Sequence, residues 1–277
     1  MSVAYLNGEF LPLSEAKIPV MDRGFLFADG VYEVMPTYNG RIFRIEEHLL
    51  RLDNSLSGIY MKNPMSMDEW KNMLEVLVEK NEGKHQSLYL QVTRGVSERD
   101  HLFNEDLKPT IFAMSKPLRE KTSSPGIAAI TREDSRWKHC DLKTIALLPG
   151  VLLRNEARSK GATEAILYID NFITEGAASN VFVIKANVIK TPPKGKHILP
   201  GVTRDLVVEL MLDNGLDCRE EPVTLEELRD ADEIWITSST WEIVPVITLD
   251  GRNVGSGQPG PVYAEANRIY QEFKENF

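Results

Sequence analysis

The stretch Ala165-Ile166-Leu167-Tyr168-Ile169-Asp170-Asn171-Phe172-Ile173-Thr174 reads as two short strands flanking an Asp-Asn turn. Residues 181–185 and 188–191 repeat the arrangement around Ala186-Asn187. Such hairpins join antiparallel strands, whereas a doubly wound parallel sheet needs a helical crossover after each strand. Upstream, residues 3–10 with Asn7-Gly8, and 31–43 with Asn39-Gly40, read as further hairpins. Residues 87–94 alternate as a strand, with 110–114 as its partner. Helical spacing predicts helices over 45–59 (Leu49, Leu52, Leu56, Ile59) and 67–81 (Trp70, Leu74, Leu77, Val78). The first of these leaves Arg51 off the apolar stripe. Further helices are expected at 149–160, closed by Gly161, at 203–214, closed by Gly215, and at 262–273. Thr224-x-x-Glu227 opens a short one as a capping box. A last strand covers 233–237. Hairpins mixed with helices make the fold class α+β.

The run 116–126, Lys-Pro-Leu-Arg-Glu-Lys-Thr-Ser-Ser-Pro-Gly, is the best candidate linker. It divides the chain into an N-terminal α+β domain, 1–120, and a C-terminal domain, 121–277. A net charge of -9 argues against a nucleic-acid surface. Two cysteines, Cys140 and Cys218, are too few for a disulfide scaffold or a zinc site. The opening residues carry no basic, apolar and small-residue sequence of an export signal. No apolar run reaches membrane-spanning length. A cytoplasmic protein with no membrane partner and no metal is expected.

Lys143 stands in Cys140-Asp141-Leu142-Lys143-Thr144-Ile145-Ala146, among apolar neighbours. An ammonium group there either snorkels to water or is kept for chemistry, because desolvation frees the amine as a nucleophile. Pro200-Gly201-Val202-Thr203 opens a helix with a glycine and a hydroxyl, where free N–H groups and the helix dipole favour an anion; taken alone it is also an ordinary N-cap. Ser239 and Thr240 close a strand with two hydroxyls. Arg51 adds a cation.

Together with Thr174-Glu175-Gly176-Ala177-Ala178-Ser179-Asn180-Val181-Phe182, these features resemble the class IV aminotransferases, pyridoxal-phosphate enzymes of fold type IV. The resemblance spans essentially the whole chain. Asp22-Arg23-Gly24-Phe25-Leu26-Phe27-Ala28-Asp29-Gly30-Val31-Tyr32-Glu33 is similar to the family's amino-terminal signature, and His48-Leu49-Leu50-Arg51-Leu52 to its phosphate-arginine helix. The resemblance implies a smaller N-terminal domain, a larger C-terminal domain with a barrel-like β core, and pyridoxal 5'-phosphate at the domain interface. It implies that Lys143 forms the Schiff base and moves the Cα proton, and that Glu175 binds the pyridine nitrogen. Arg51, Val202, Thr203, Ser239 and Thr240 would hold the phosphate. A homodimer is expected from the family alone.

Within the family, Arg99-x-His101, with Tyr32, resembles the carboxylate trap of D-amino-acid transaminases. An arginine fork and an imidazole can grip a carboxylate in one orientation, which decides the enantiomer. The expected reaction is ping-pong transfer of an amino group from a D-amino acid such as D-alanine to a 2-oxo acid such as 2-oxoglutarate. Ala177 and Ala178 depart from the serines frequent there, and Met35-Pro36 departs on the preceding strand. The alternatives are a branched-chain L-transaminase, an aminodeoxychorismate lyase, or a pyridoxal-phosphate-binding protein without turnover.

Overall fold

The computed structural model describes residues 2–104, 106–118 and 125–277. The chain divides into two compact units, Met1–Glu120 with Leu142–Ala146, and Lys121–Asp141 with Leu147–Phe277. Of the expected linker, residues 119–124 lie outside the described ones. The expected C-terminal half thus lends one segment, the one bearing Lys143, to the first unit.

In the first unit the Asn7-Gly8 turn joins β1 (Val3–Leu6) to β2 (Glu9–Pro12), and Asn39-Gly40 joins β3 (Gly30–Tyr38) to β4 (Arg41–Ile42). All four turn residues have positive φ, the backbone a two-residue hairpin requires. With β5 (Gln86–Thr93) and β6 (Thr110–Pro117) they form a six-stranded sheet in the order β2-β1-β6-β5-β3-β4. Two amphipathic helices, α2 (Ile45–Gly58) and α3 (Met67–Glu79), set Leu49, Leu52, Leu56, Trp70, Leu74 and Leu77 into one core with Met35, Leu88 and Leu90 of the strands. Helix α3 starts where Ser66 and Glu69 form a reciprocal capping box.

A short helix that the apolar pattern does not show, α1 (Arg23–Phe27), precedes β3. It exists because Asp22 caps it. The Asp22 carboxylate accepts from the Gly24 N–H at 2.8 Å and from the hydroxyls of Thr93 (3.0 Å) and Thr110 (2.7 Å), so it is fully buried yet satisfied.

The second unit is a mixed sheet. It contains β7 (Ile127–Glu133), β8 (Glu164–Ile169), β9 (Phe172–Gly176), β10 (Asn180–Lys185), β11 (Val188–Thr191), β12 (Cys218–Glu220), β13 (Glu233–Ser238) and β14 (Glu242–Leu249). Their order is β12-β11-β10-β13-β14-β7-β8-β9, with β15 (Arg252–Asn253) on β14. The expected hairpins β8–β9 and β10–β11 are both antiparallel. Strand β7 runs parallel to β8, joined through α4 (Leu148–Ser159), and parallel to β14. Helices α5 (Val202–Asp213), α6 (Leu225–Arg229) and α7 (Pro261–Glu275) complete the unit. The buried Glu233 carboxylate receives the N–H groups of Val262 (2.9 Å) and Tyr263 (2.7 Å), so an acid on β13 satisfies the opening turn of α7. Among the described residues no helix is long and apolar enough to cross a membrane.

Helix α1 ends at Ala28, whose φ of 56° and ψ of 34° are left-handed, a conformation in which a β-carbon is strained. Ala28→Gly should therefore raise stability by about 0.5–1 kcal/mol. The change is to be read as a higher urea midpoint at unchanged slope.

Candidate active site

Within the first unit, backbone bonds hold Lys143. The Tyr32 N–H donates to the Lys143 carbonyl (2.9 Å), and the Ile145 N–H donates to the Gly30 carbonyl (3.0 Å). The Lys143 N–H donates to Ser55 Oγ at 3.0 Å. Thr144 forms an antiparallel bridge with Val31, so the segment docks on the start of β3. The half-buried side chain brings Nζ to 4.3 Å from the centroid of the Tyr32 ring. Among the described residues this ammonium meets an aromatic face and no carboxylate. Tyr32 also packs on Tyr89, with ring centroids 5.9 Å apart.

The neighbouring residue on β3, Glu33, turns to the other face and is fully buried. Arg51 of α2 grips it with Nε on Oε1 and Nη2 on Oε2, both at 2.8 Å, and His48 Nδ1 lies 2.8 Å from Oε2. Burial pushes the Glu33 carboxyl up. The charge and hydrogen bonds of Arg51, with those of His48, outweigh it and hold the group well below the usual carboxylate range. Burial also lowers the His48 pKa, against the pull of Glu33. Arg51 is thus buried although it stands off the Leu stripe of α2. A partner 18 residues upstream supplies the charge that lets it go inside.

Arg99 and His101 stand together on the exposed loop after β5. The Arg99 Cζ lies 5.3 Å from the Phe27 ring centroid, and the His101 ring lies 5.6 Å from the same ring. No hydrogen bond, ion pair or ring contact among the described residues joins either to Tyr32. The structure therefore groups Lys143 with Tyr32, Arg51 with Glu33 and His48, and Arg99 with His101.

In the second unit Glu175, near the end of β9, is buried between donors. Arg136 Nη1 donates to Oε1 at 2.5 Å; the Asn180 side-chain amide and the Leu199 N–H both donate to Oε2 at 3.0 Å. Arg136 is itself clamped by Asp134 through Nε (3.0 Å) and Nη2 (2.7 Å), and the Thr174 hydroxyl donates to Asp134 (2.9 Å). Burial raises the Glu175 carboxyl, Arg136 and the Leu199 N–H pull it back, and the balance leaves it at about 7. Arg136, which holds the Glu175 carboxylate, was passed over in the sequence reading. Its only signal was the Asp134-Ser135-Arg136 triplet, which reads as ordinary surface charge.

The Asn180 amide also donates to the Leu199 carbonyl (2.9 Å), tying Glu175 to the turn before α5. Helix α5 begins at Gly201 with no side-chain cap, so Thr203 is its second residue and not its N-cap. A β-carbon at Gly201 would fall 2.0 Å from the Asn180 side-chain oxygen, which requires glycine there. Across the ladder from Asn180 stands Thr237, whose buried hydroxyl has no hydrogen-bond partner. Ser239 and Thr240 follow in the half-buried turn between β13 and β14. Val202, Thr203, Glu175, Ser239 and Thr240 thus share one end of this unit's sheet, where β10 starts and β13 ends. Trp137 and His139 form a half-exposed ring pair at 5.4 Å. Cys140 is buried, its thiol donating to the Trp137 carbonyl at 3.1 Å and pushed up to about 12 by burial.

The model of the amino-transferase class IV family matches residues 30–249. This chain belongs to the class IV aminotransferases. It is 44% identical over 258 residues to the D-alanine aminotransferase of Bacillus licheniformis, covering 92% of this chain and 91% of that protein. To the Listeria monocytogenes D-alanine aminotransferase it is 39% identical, covering 96% and 94%. The crystal structure of the Escherichia coli branched-chain amino acid aminotransferase superposes with a TM-score of 0.90 at 27% identity, covering 99% and 93%. A second branched-chain amino acid aminotransferase, that of T.th., was solved with pyridoxamine 5'-phosphate. It gives a TM-score of 0.87 at 25% identity, covering 98% of this chain and 93% of that one. The fold is thus type IV, the chain is an aminotransferase, and its cofactor is pyridoxal phosphate. The residues fit that cofactor. The uncapped N–H groups of α5 and the unpartnered Thr237 hydroxyl suit a phosphate ester, and a buried carboxylate backed by an arginine suits a pyridinium nitrogen.

The raised Glu175 pKa carries a sign. In the folded apoprotein the carboxyl binds its proton up to about pH 7, whereas its ordinary value is 4.5. Between those values the folded state holds the extra proton, so the contribution of this group is full below the unfolded pKa and is lost as pH rises through 7. Glu175→Gln removes the titration. The urea midpoint of wild-type apoprotein should therefore fall relative to that of the variant between about pH 5 and pH 8; a constant offset would contradict the assignment.

Proposed function

We propose that this protein moves the amino group of a D-amino acid, D-alanine among them, to a 2-oxo acid such as 2-oxoglutarate in two half-reactions. One observation carries the choice of D-substrate. Arg99 and His101 stand side by side on Phe27, in a chain 44% identical to a D-alanine aminotransferase across nearly all of both. The structural likeness to branched-chain enzymes supports the L-specific reading, at the lower identity of 27%.

When bound, the cofactor supplies a carbonyl that takes up amino groups and a ring that accepts the electron pair left at Cα. Every other role falls to this chain. Lys143 Nζ takes and returns the Cα proton, and its fixed backbone gives that proton one approach. Glu175, backed by Arg136, holds the proton on the pyridine nitrogen. Arg51, the Val202 and Thr203 amides and the hydroxyls of Thr203, Ser239 and Thr240 hold the phosphate. Glu33 orients the guanidinium of Arg51. Tyr32, Arg99 and His101 receive the substrate carboxylate.

We also propose that the enzyme works as a homodimer in the cytoplasm. Its two buried thiols, Cys140 and Cys218, suit a reducing compartment. Leu148, Val151 and Leu152 form an apolar face on α4, 67%, 49% and 62% exposed, at helical spacing. The first unit presents Val20, Phe25 and Leu102, also largely exposed. A second copy would cover such surfaces.

Purified holoenzyme given D-alanine and 2-oxoglutarate should release pyruvate at least about tenfold faster than with L-alanine, and Lys143→Ala should lower the rate by about 10²–10⁴-fold. A preference for L-alanine or L-leucine would reverse the stereochemical reading. In light scattering Leu152→Glu should shift the wild-type dimer toward the mass of one 31.3 kDa chain. A monomeric wild type would remove the dimer.

A further inference from the structure

We infer that Arg23 is a positioning residue for the substrate carboxylate: with Phe27 it fixes the loop on which Arg99 and His101 stand. The inference rests on the reading of that pair as the carboxylate receptor. Arg23 is the first residue of α1 and is nearly fully buried, although it is charged. Its Nε donates to Asp29 at 2.8 Å, and its Nη1 donates to the Asp100 carbonyl at 2.6 Å. Longer bonds of 3.4 Å run from Nη1 to the Leu102 carbonyl and from Nη2 to the His101 carbonyl. One guanidinium therefore spans three successive carbonyls of the loop carrying the proposed receptor.

That loop needs such an anchor. Residues 98–104 are exposed and pair with no strand, and their own bonds are short-range ones such as Leu102 N–H to Asp100 Oδ1. A free segment of that kind samples many conformations, and a two-pronged receptor works only when both prongs hold one spacing. The base of the loop is tied to the same element. The Arg23 N–H donates to the Gly95 carbonyl at 2.8 Å, and Asp22 bridges Val96.

The rings complete the support. Phe27, one helical turn after Arg23, has the Arg23 Cζ at 4.7 Å, the Arg99 Cζ at 5.3 Å and the His101 ring at 5.6 Å from its centroid. Behind them Arg94 shares Asp29 (2.8 Å), donates to the Ile59 carbonyl (2.7 Å) and lies 3.7 Å from the centroid of Phe103. Arg23 and Arg94 thus share one carboxylate, Asp29, while Arg99 stands close by on Phe27. Lysine cannot replace Arg23, because an ammonium lacks the planar fork that reaches Asp29 and the loop carbonyls together.

The test uses holoenzyme with Arg23→Met, Arg23→Lys, Phe27→Leu and Arg99→Ala. Arg23→Met and Phe27→Leu should each raise KM for D-alanine and for 2-oxoglutarate about 10–100-fold. The affinity for pyridoxal phosphate, titrated by absorbance, should stay within about twofold of wild type. Deuterium exchange over residues 96–104 should quicken in both variants, and Arg23→Lys should restore neither KM nor protection. Phe27→Leu keeps every hydrogen bond of the loop and so serves where Arg23→Met fails to fold. If Arg99→Ala raises KM while Arg23→Met and Phe27→Leu leave both KM and loop exchange at wild-type values, the positioning role falls. If Arg99→Ala leaves KM unchanged, the receptor reading falls and takes this inference with it.

Discussion

Two hydrogen bonds of 2.8 Å between Arg51 and Glu33 tie α2 to β3 in the heart of the first unit. Neither charge would be tolerated there alone, since an unpaired buried ion costs several kcal/mol. The pair therefore fixes how the helix lies on the strand, and with it the direction of everything β3 presents. Strand geometry then does the rest. Glu33 points one way and Tyr32 the other, so the ion pair on one face sets the ring on the opposite face against which Lys143 lies. The Lys143 segment borrows its own backbone partners from Gly30 and Tyr32.

The second unit solves a similar problem with a different balance. Glu175 has an arginine and two N–H donors, yet burial still leaves its carboxyl near neutrality, whereas Glu33 stays firmly ionised. The difference lies in how the arginine is shared. Arg51 gives two bonds to Glu33, while Arg136 divides itself between Asp134 and Glu175, and the second acid repels the first. A carboxylate left so poised gains most from a further positive partner.

How much of this was legible in the sequence depended on the range of the interaction. Hairpins set by Asn7-Gly8, Asn39-Gly40 and Asp170-Asn171 were readable, because each turn is encoded within two residues. The helices α2, α3 and α5 were readable from their apolar spacing. Strand β14 was not: Glu242–Leu249 is a nearly unbroken apolar run interrupted by Pro245, which shows neither strand nor helix period. Helix α1 was hidden because its cap is a carboxylate shared with Thr93 and Thr110, distant in the chain. Lys143, Arg51 and Glu175 stood out through family motifs. Arg136 did not, and Arg23, though inside the quoted amino-terminal motif, carried no reading of its own, since Glu175 and the carbonyls of residues 100–102 come near them only on folding.

The assignment of Leu142–Ala146 to the first unit has a bearing on how the molecule is divisible. The polypeptide passes from one unit to the other three times, so neither half is a contiguous module. A fragment ending at residue 120 would leave the Tyr32 amide and the Gly30 carbonyl without their native partners and the Tyr32 ring without its ammonium. The Lys143 amine is in effect a threaded insert, delivered by one half of the gene and housed by the other. Recombination between relatives at the linker would exchange the lysine separately from its seat, which binds the evolution of the two halves together.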